Sequence, residues 1–321
     1  MAESIATFSY MVSTVSPLPL LALRESPIAS AVTAAIVLPV FILVYYAVNI
    51  KWDFSGFYGI SSMADRRLGK AQLIVWTISY SLYVVYTSFF IPFYLLNMSG
   101  YEGIAFSFLI FALSSLITFS GVSRFFFVFS ALFQIALMIP LGWVPSMSTY
   151  QPQLQGLFVN VLSSGLLLVC ITLVPYWNGK REDSKLIFLA LAVSVGSLIT
   201  GGFFESRAYI AAASSVGYFS LIVAEYRSIR DLYRFALKSK LSDIILFVAM
   251  LLAMSAGSLS VYKFYFITSG VSVILLYPAL LISLFSVLLL KKGFITSLSF
   301  TVAAALMLYG EYSAISFLLF S

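Results

Sequence analysis

The stretch Phe8–Ala22, FSYMVSTVSPLPLLA, is apolar enough to enter a bilayer, yet Ser13, Thr14, Ser16, Pro17 and Pro19 interrupt it halfway. Proline removes a backbone donor and clashes with the preceding turn. In lipid every amide and carbonyl freed in this way must find another partner. A helix broken at mid-depth is therefore tolerated where it packs against protein or lines a cavity. Substrate sites of secondary transporters are built from such breaks. A proline-kinked helix that binds nothing fits the same stretch.

The rest of the chain keeps that apolar character. Of 321 residues, 61% are hydrophobic and 9% charged, and the mean hydropathy is +1.04. Such a composition belongs to a multi-pass membrane protein, not to a water-soluble domain. At roughly 20 residues per spanning helix, the chain holds ten or eleven spans joined by short loops. Histidine is absent and Cys170 is the single cysteine. This composition disfavours bis-His haem, the usual zinc and copper sites, iron–sulfur clusters and an intrachain disulfide. It also removes the commonest proton shuttle. The net charge of +6 is expected to lie in cytoplasmic loops and does not call for nucleic acid. Glu3 precedes the first basic residue, Arg24, so the N-terminus reads as a retained first span and not as a signal peptide.

Spans are expected at 5–23, 27–50, 70–97, 103–121, 125–145, 157–177, 186–204, 208–226, 242–261, 265–290 and 294–318. With a cytoplasmic N-terminus, 15 of the 18 Lys and Arg residues fall in inner loops, leaving Arg24, Arg207 and Lys263 outside. That bias is what the positive-inside rule requires of a correct alternation. Asn97-Met98-Ser99, a glycosylation sequon, then falls in an outer loop. Eleven spans place the C-terminus outside; with ten, the last segment lies on or re-enters the membrane.

A second break signal, Leu173-Val174-Pro175-Tyr176-Trp177-Asn178-Gly179, belongs to the sixth span. Ser163-Ser164-Gly165 is an alternative place for it. Five spans separate the two breaks, so two blocks of five have opposite orientation. The expected architecture is all-α and polytopic, with 10–11 transmembrane helices around a 5+5 inverted-repeat, leucine-transporter-like core. The first repeat covers 1–145, the second 157–290, and 294–318 forms an extra helix.

Residues Phe54 to Tyr80, FSGFYGISSMADRRLGKAQLIVWTISY, resemble amino acid–polyamine–organocation (APC) permeases. The positions that carry the likeness are Gly56, Phe57, Tyr58, Arg66, Arg67, Leu68, Gly69 and Trp76. The segments Val75–Leu96 and Met11–Pro17 look like members of that family from thermoacidophilic archaea. Leu167–Asn178 is similar to the family's sixth span, and Ala224–Leu241 to the basic end of its eighth. The resemblance implies a shortened, divergent permease. Where the family carries glycines at the first-span break, this chain has Thr14-Val15-Ser16-Pro17-Leu18-Pro19.

If the chain is a permease, half-helix ends and unwound carbonyls suit the two ends of an amphoteric solute. The candidate substrate contacts are Ser13, Thr14 and Ser16, facing Cys170, Thr172 and Tyr176. Each hydroxyl can instead bond the carbonyl one turn back, as is ordinary in membrane helices. No ionisable residue is expected at the middle of a span; Glu205, Arg207 and Glu225 are placed at ends. Glu311, in the last segment, is the one intramembrane carboxyl expected, as a functional or subunit-contact group. No organic cofactor or metal is implied, and coupling to Na+ or H+ stays open. No P-loop, metal cluster or Ser/His/Asp set marks an enzyme. Two functions follow: a plasma-membrane transporter of amino acids or similar small organic solutes, or a non-catalytic subunit scaffolding a larger membrane assembly such as a respiratory complex. Its partners are lipid and a small amphoteric solute, or other membrane subunits.

Overall fold

A computed structural model describes residues 2–22, 27–138, 165, 167–201, 208–239 and 241–320. Among them there is helix and turn and no strand. The chain opens with α1 (Ala2–Val15), α2 (Pro17–Ala22), α3 (Pro27–Ile50), α4 (Gly56–Ala64) and α5 (Arg66–Phe90). A π turn, Ile91–Leu95, extends α5, and α6 (Gly100–Phe119) and α7 (Ser123–Met138) follow. The apolar segment Leu167–Tyr176 tightens to a 3-10 helix at Cys170–Tyr176. Beyond a short 3-10 turn at Arg181–Lys185 come α8 (Leu186–Gly201), α9 (Ala208–Leu237), α10 (Leu241–Ser258), α11 (Val261–Leu290) and α12 (Phe294–Phe320).

Eight of the described helical stretches are long and apolar enough to cross a membrane: Ala2–Leu21, Ile28–Ile50, Arg66–Leu95, Gly100–Phe119, Arg181–Gly201, Leu241–Ser258, Val261–Leu290 and Phe294–Ser316. Ser123–Met138 and Leu167–Tyr176 are shorter apolar helices. Each of the eleven expected spans overlaps a helix. The fourth and fifth part at Gly121, whose φ of +77° suits glycine alone. The seventh-to-eighth connection around Glu205 and Arg207, and the alternative break at Ser163-Ser164, lie outside the described residues. The last segment is long enough to cross. The first span is the most enclosed, while the Leu241–Ser258 and Phe294–Ser316 spans are the least.

The first break is real, and its cause is local. Ser16 stands between α1 and α2 at φ +42°, a conformation that costs an L-residue about 1–2 kcal/mol. Pro17 has no N–H to offer the carbonyl of Ser13 one turn back. Ser16 Oγ replaces it, donating to that carbonyl at 2.9 Å and to the Gly217 carbonyl at 3.1 Å. Ser197 Oγ donates to the Pro17 carbonyl, and Ser214 Oγ to the Leu18 carbonyl at 3.3 Å. Ser16 itself thus satisfies the carbonyl that Pro17 left open, and hydroxyls from α8 and α9 bond the carbonyls just beyond the break.

Basic residues gather at one end of the bundle. Lys51 lies over the Phe235 ring and Lys291 over Tyr46. Arg181 donates to Asn49, Lys180 pairs with Glu3, and Arg234 with Asp243. At this end α4 buries Phe57, Ile60 and Ser61, and Asp65 caps α5 by accepting from the amides of Arg67 and Leu68. Gly56 sits at φ +50°, with the Tyr176 ring 2.2 Å from where a Cβ would be. Only glycine fits both the backbone and that contact.

Candidate functional site: a polar layer between two interrupted helices

Three contacts set the register of α1 and α2 against α9. Tyr10 Oη lies 2.7 Å from Ser228 Oγ, Ser16 Oγ reaches the Gly217 carbonyl, and Ser214 Oγ reaches the Leu18 carbonyl. The two stretches therefore run antiparallel. Ser13 falls at the level of Ile222 to Glu225. The 3-10 segment follows the same register. Leu173 O is 3.3 Å from Tyr10 Oη, and Trp177 Nε1 donates to Thr7 Oγ1 at 3.1 Å. At three residues per turn, Cys170 lies one turn from Leu173, on the side away from Trp177. On α5, Trp76 stacks on Tyr176 (4.2 Å, 27°), and Tyr80, one turn on, lies beside Thr172.

One layer thus contains Ser13, Thr14, Cys170, Thr172, Tyr80 and Glu225. All six side chains are buried. Thr14 Oγ1 donates to Met11 O at 2.7 Å and Thr172 Oγ1 to Val169 O at 2.8 Å, the local bonds usual for membrane hydroxyls. Ser13 Oγ has no hydrogen-bond partner. Ser16 sits at the edge of the layer, occupied with closing the break. Tyr176 stands apart from the other five expected contacts. Its ring faces Trp76 and Gly56, and its hydroxyl accepts from Gln72 Nε2 at 2.6 Å.

Glu225 does not stand at a helix end, where the expected span 208–226 puts it. The basic residues Arg227 and Arg230 that follow it read as an inner loop. The helix instead continues to Leu237, since those charges find partners inside the protein. Arg230 Nε donates to Asp231 at 2.9 Å and Arg227 Nε lies 3.5 Å from Asp231. Arg227 also reaches Ser123, and Arg230 the Thr118 carbonyl. Glu225 is fully buried and neither carboxyl oxygen has a hydrogen-bond partner. It lies within electrostatic range of Tyr80, Tyr83, Tyr86, Cys170 and Tyr10.

Toward the basic end the layer is sealed. The Trp177 indole stacks on Tyr10 (4.5 Å, 18°), meets the edge of Phe127 (6.0 Å, 78°), and carries the Arg227 guanidinium 4.2 Å from a ring centroid. Lys180 Nζ lies 2.6 Å from Glu3 Oε2 across the mouth; that bond holds the ammonium above the usual lysine range. Toward the opposite end the walls are tyrosines. Tyr83 meets Tyr86 (4.8 Å), Tyr86 meets Tyr265 (5.6 Å), and Tyr265 meets Tyr94 (4.4 Å). Tyr83, Tyr218 and Tyr265 are largely but not wholly buried. Among the described residues no group of three or more His, Cys, Asp or Glu is placed to hold a metal ion.

No family model matches the chain, and no curated protein matches it in sequence. Its backbone matches crystal structures of mutants of the Eremococcus coleocola manganese transporter, with a TM-score of 0.58 at 13% identity over 98% of this chain and 86% of that one. The same transporter bound to an aromatic bis-isothiourea substituted compound matches with a TM-score of 0.52 over the same shares. The chain has the all-α, polytopic fold of a helical membrane transporter.

Proposed function

We propose that the chain is a secondary transporter that carries amino acids or similar small amphoteric solutes across the plasma membrane, with its basic end in the cytoplasm. The observation that carries this reading is the meeting of two interrupted helices across one buried polar layer. A break at Ser16 faces a 3-10 segment at Cys170–Tyr176, the arrangement in which such proteins hold a solute between repeats. The layer offers hydroxyls, one thiol and one carboxyl, a donor set that suits an organic solute. The manganese transporter it resembles in fold carries a metal; this chain has no histidine, and its layer holds a single carboxyl. The motifs of Phe54–Tyr80 support an APC-like permease built as two five-helix repeats. The positive-inside bias supports the orientation.

A second reading, a scaffolding subunit of a larger membrane assembly, draws on a different observation. Serines of the protein itself already satisfy the Ser13, Pro17 and Leu18 carbonyls at the break. Purified protein reconstituted in liposomes, given a mixture of labelled amino acids, separates the two. Exchange or accumulation above empty liposomes supports transport. Absence of both, with co-purification in fixed stoichiometry with other subunits, establishes the scaffold.

A further inference from the structure

Glu225 plays no part in closing the break or sealing the basic end, and it is buried without a partner. An ionised carboxyl left unpaired in such surroundings costs several kcal/mol. Intramembrane carboxyls persist where they serve a transported ion or proton. Its neighbours decide between these. Every element packed on α9 at this level brings only neutral titratable groups. Tyr80, Tyr83 and Tyr86 come from α5, Cys170 from the 3-10 segment, Tyr10 from α1, and Tyr218 from α9 itself. The nearest charges on its own helix, Arg227, Arg230 and Asp231, lie two to six residues closer to the basic end and pair with one another. Glu3 and Arg124 lie at that end, Glu102 at the opposite start of α6, and Asp243 is bonded to Arg234. A hard cation takes about six oxygen ligands. Among the described residues of the layer, two hydroxyl oxygens, Ser13 Oγ and Tyr80 Oη, are bonded to nothing, too few to complete such a shell with the carboxyl. A proton needs only the carboxyl.

We propose that Glu225 is the proton carrier of the transport cycle, so that the chain is a proton-coupled symporter. This rests on the transporter reading above. Water reaching the layer past Tyr83, Tyr218 and Tyr265 delivers a proton to one carboxylate oxygen, forming its O–H bond. The neutral acid remains buried while the layer is closed at both ends. When the Trp177 seal parts, the O–H bond breaks and the proton leaves to water at the basic end. One proton enters and one leaves; nothing is oxidised or reduced.

Two measurements on the full chain test it. In membranes, a hydrophobic carbodiimide modifies buried protonated carboxyls, and mass spectrometry locates the adduct. Modification at Glu225 that falls as pH rises is the expected result. Modification that is absent, or that ignores pH, or that Na+ suppresses at constant pH, overturns the proposal, the last in favour of a sodium site. In liposomes, an inward proton gradient accelerates uptake of the labelled amino-acid mixture, and a sodium gradient does not. Glu225→Gln abolishes the response to the proton gradient whatever its absolute rate, and Glu225→Asp restores a pH-dependent response. Exchange of amino acids in the wild-type chain with no proton-gradient effect sinks the inference and leaves transport standing. Absence of exchange, with pH-dependent modification at Glu225, sinks the transport reading and the symport with it, leaving a proton-loaded carboxyl.

Discussion

The guanidinium of Arg227 lies 4.2 Å from the centroid of a Trp177 ring, with the Tyr10 ring on the indole at 4.5 Å. The cation, two residues beyond Glu225 on α9, closes the path from the polar layer to the basic end. A desolvated contact of this kind contributes about 1–2 kcal/mol.

Cys170, the single cysteine, reports on that seal because it lies buried just behind it. Arg227→Lys and Trp177→Leu should each speed labelling of Cys170 by a small maleimide by about tenfold, the equivalent of roughly 1.4 kcal/mol. The rate of adduct formation by mass spectrometry measures it. Unchanged labelling in both variants would show that Trp177 does not guard the layer.

Ser16 combines a positive φ with two carbonyl contacts. Ser16→Gly relieves the backbone but leaves the Ser13 carbonyl unpaired. Ser16→Ala loses the hydroxyl and keeps the strained φ. Thermal unfolding in detergent should rank wild type above Ser16→Gly, and Ser16→Gly above Ser16→Ala by about 1 kcal/mol. The reverse order for the two variants contradicts this account of the break.

Gly56→Ala forces a methyl into the Tyr176 ring at a φ of +50°. A loss of about 2–3 kcal/mol is expected from clash and strain together. Tyr176→Phe keeps the ring and removes the hydroxyl's bonds, the one from Gln72 first among them, and should cost about 1 kcal/mol. Tyr176→Ala in the Gly56→Ala background should recover part of the loss by making room. Strict additivity of the two changes would rule out the clash.

The Glu3–Lys180 pair is more than half exposed on both sides, and surface pairs contribute little. Glu3→Gln should lower the melting temperature only slightly at neutral pH. Because the bond to Glu3 raises the Lys180 ammonium above its ordinary value of 10.5, its contribution is present below that range and lost as pH rises through the raised value. A wild-type and Glu3→Gln comparison across alkaline pH shows the two curves converging. Curves that stay apart there would assign Glu3 another partner.

Orientation is open to a direct check in a Cys170→Ser background. Asn97→Cys, in the turn after α5, should react with an impermeant maleimide added outside intact cells. Asp65→Cys, at the start of α5, should react only after lysis. The opposite pattern would invert the proposed topology.

Span positions were legible because length and hydropathy are summed properties that survive local error; the fourth-to-fifth split at Gly121 fell where composition placed it. The break at Ser16 was legible because two prolines within three residues leave a helix few alternatives. Glu225 was not. Its burial depends on Arg227, Arg230 and Asp231 finding Ser123, Thr118 and each other, and no local pattern announces such distant partners. A long uncharged run before Glu225, and an Arg227–Asp231 pair four residues apart after it, were the available signs of a helix that continues. Tyr176 and Thr172 belong to one break signal in the sequence, yet only Thr172 reaches the layer. The 3-10 segment sets them one turn apart along α5, Tyr176 against Trp76 and Gln72 nearer the basic end, and Thr172 beside Tyr80.

The bonds around Ser16 divide the first helix unequally. Beyond it, α2 is fastened to α8 by Ser197 and to α9 by Ser214. Before it, among the described residues, α1 is held to α9 by one hydroxyl pair, Tyr10 and Ser228, and the neighbouring Trp177 by one cation, Arg227. Any swing of α1 about Ser16 must break that pair, and both latches stand on the same helix within a single turn. The prolines that interrupt the first span thus set a pivot, and α9 is the jamb against which the door shuts.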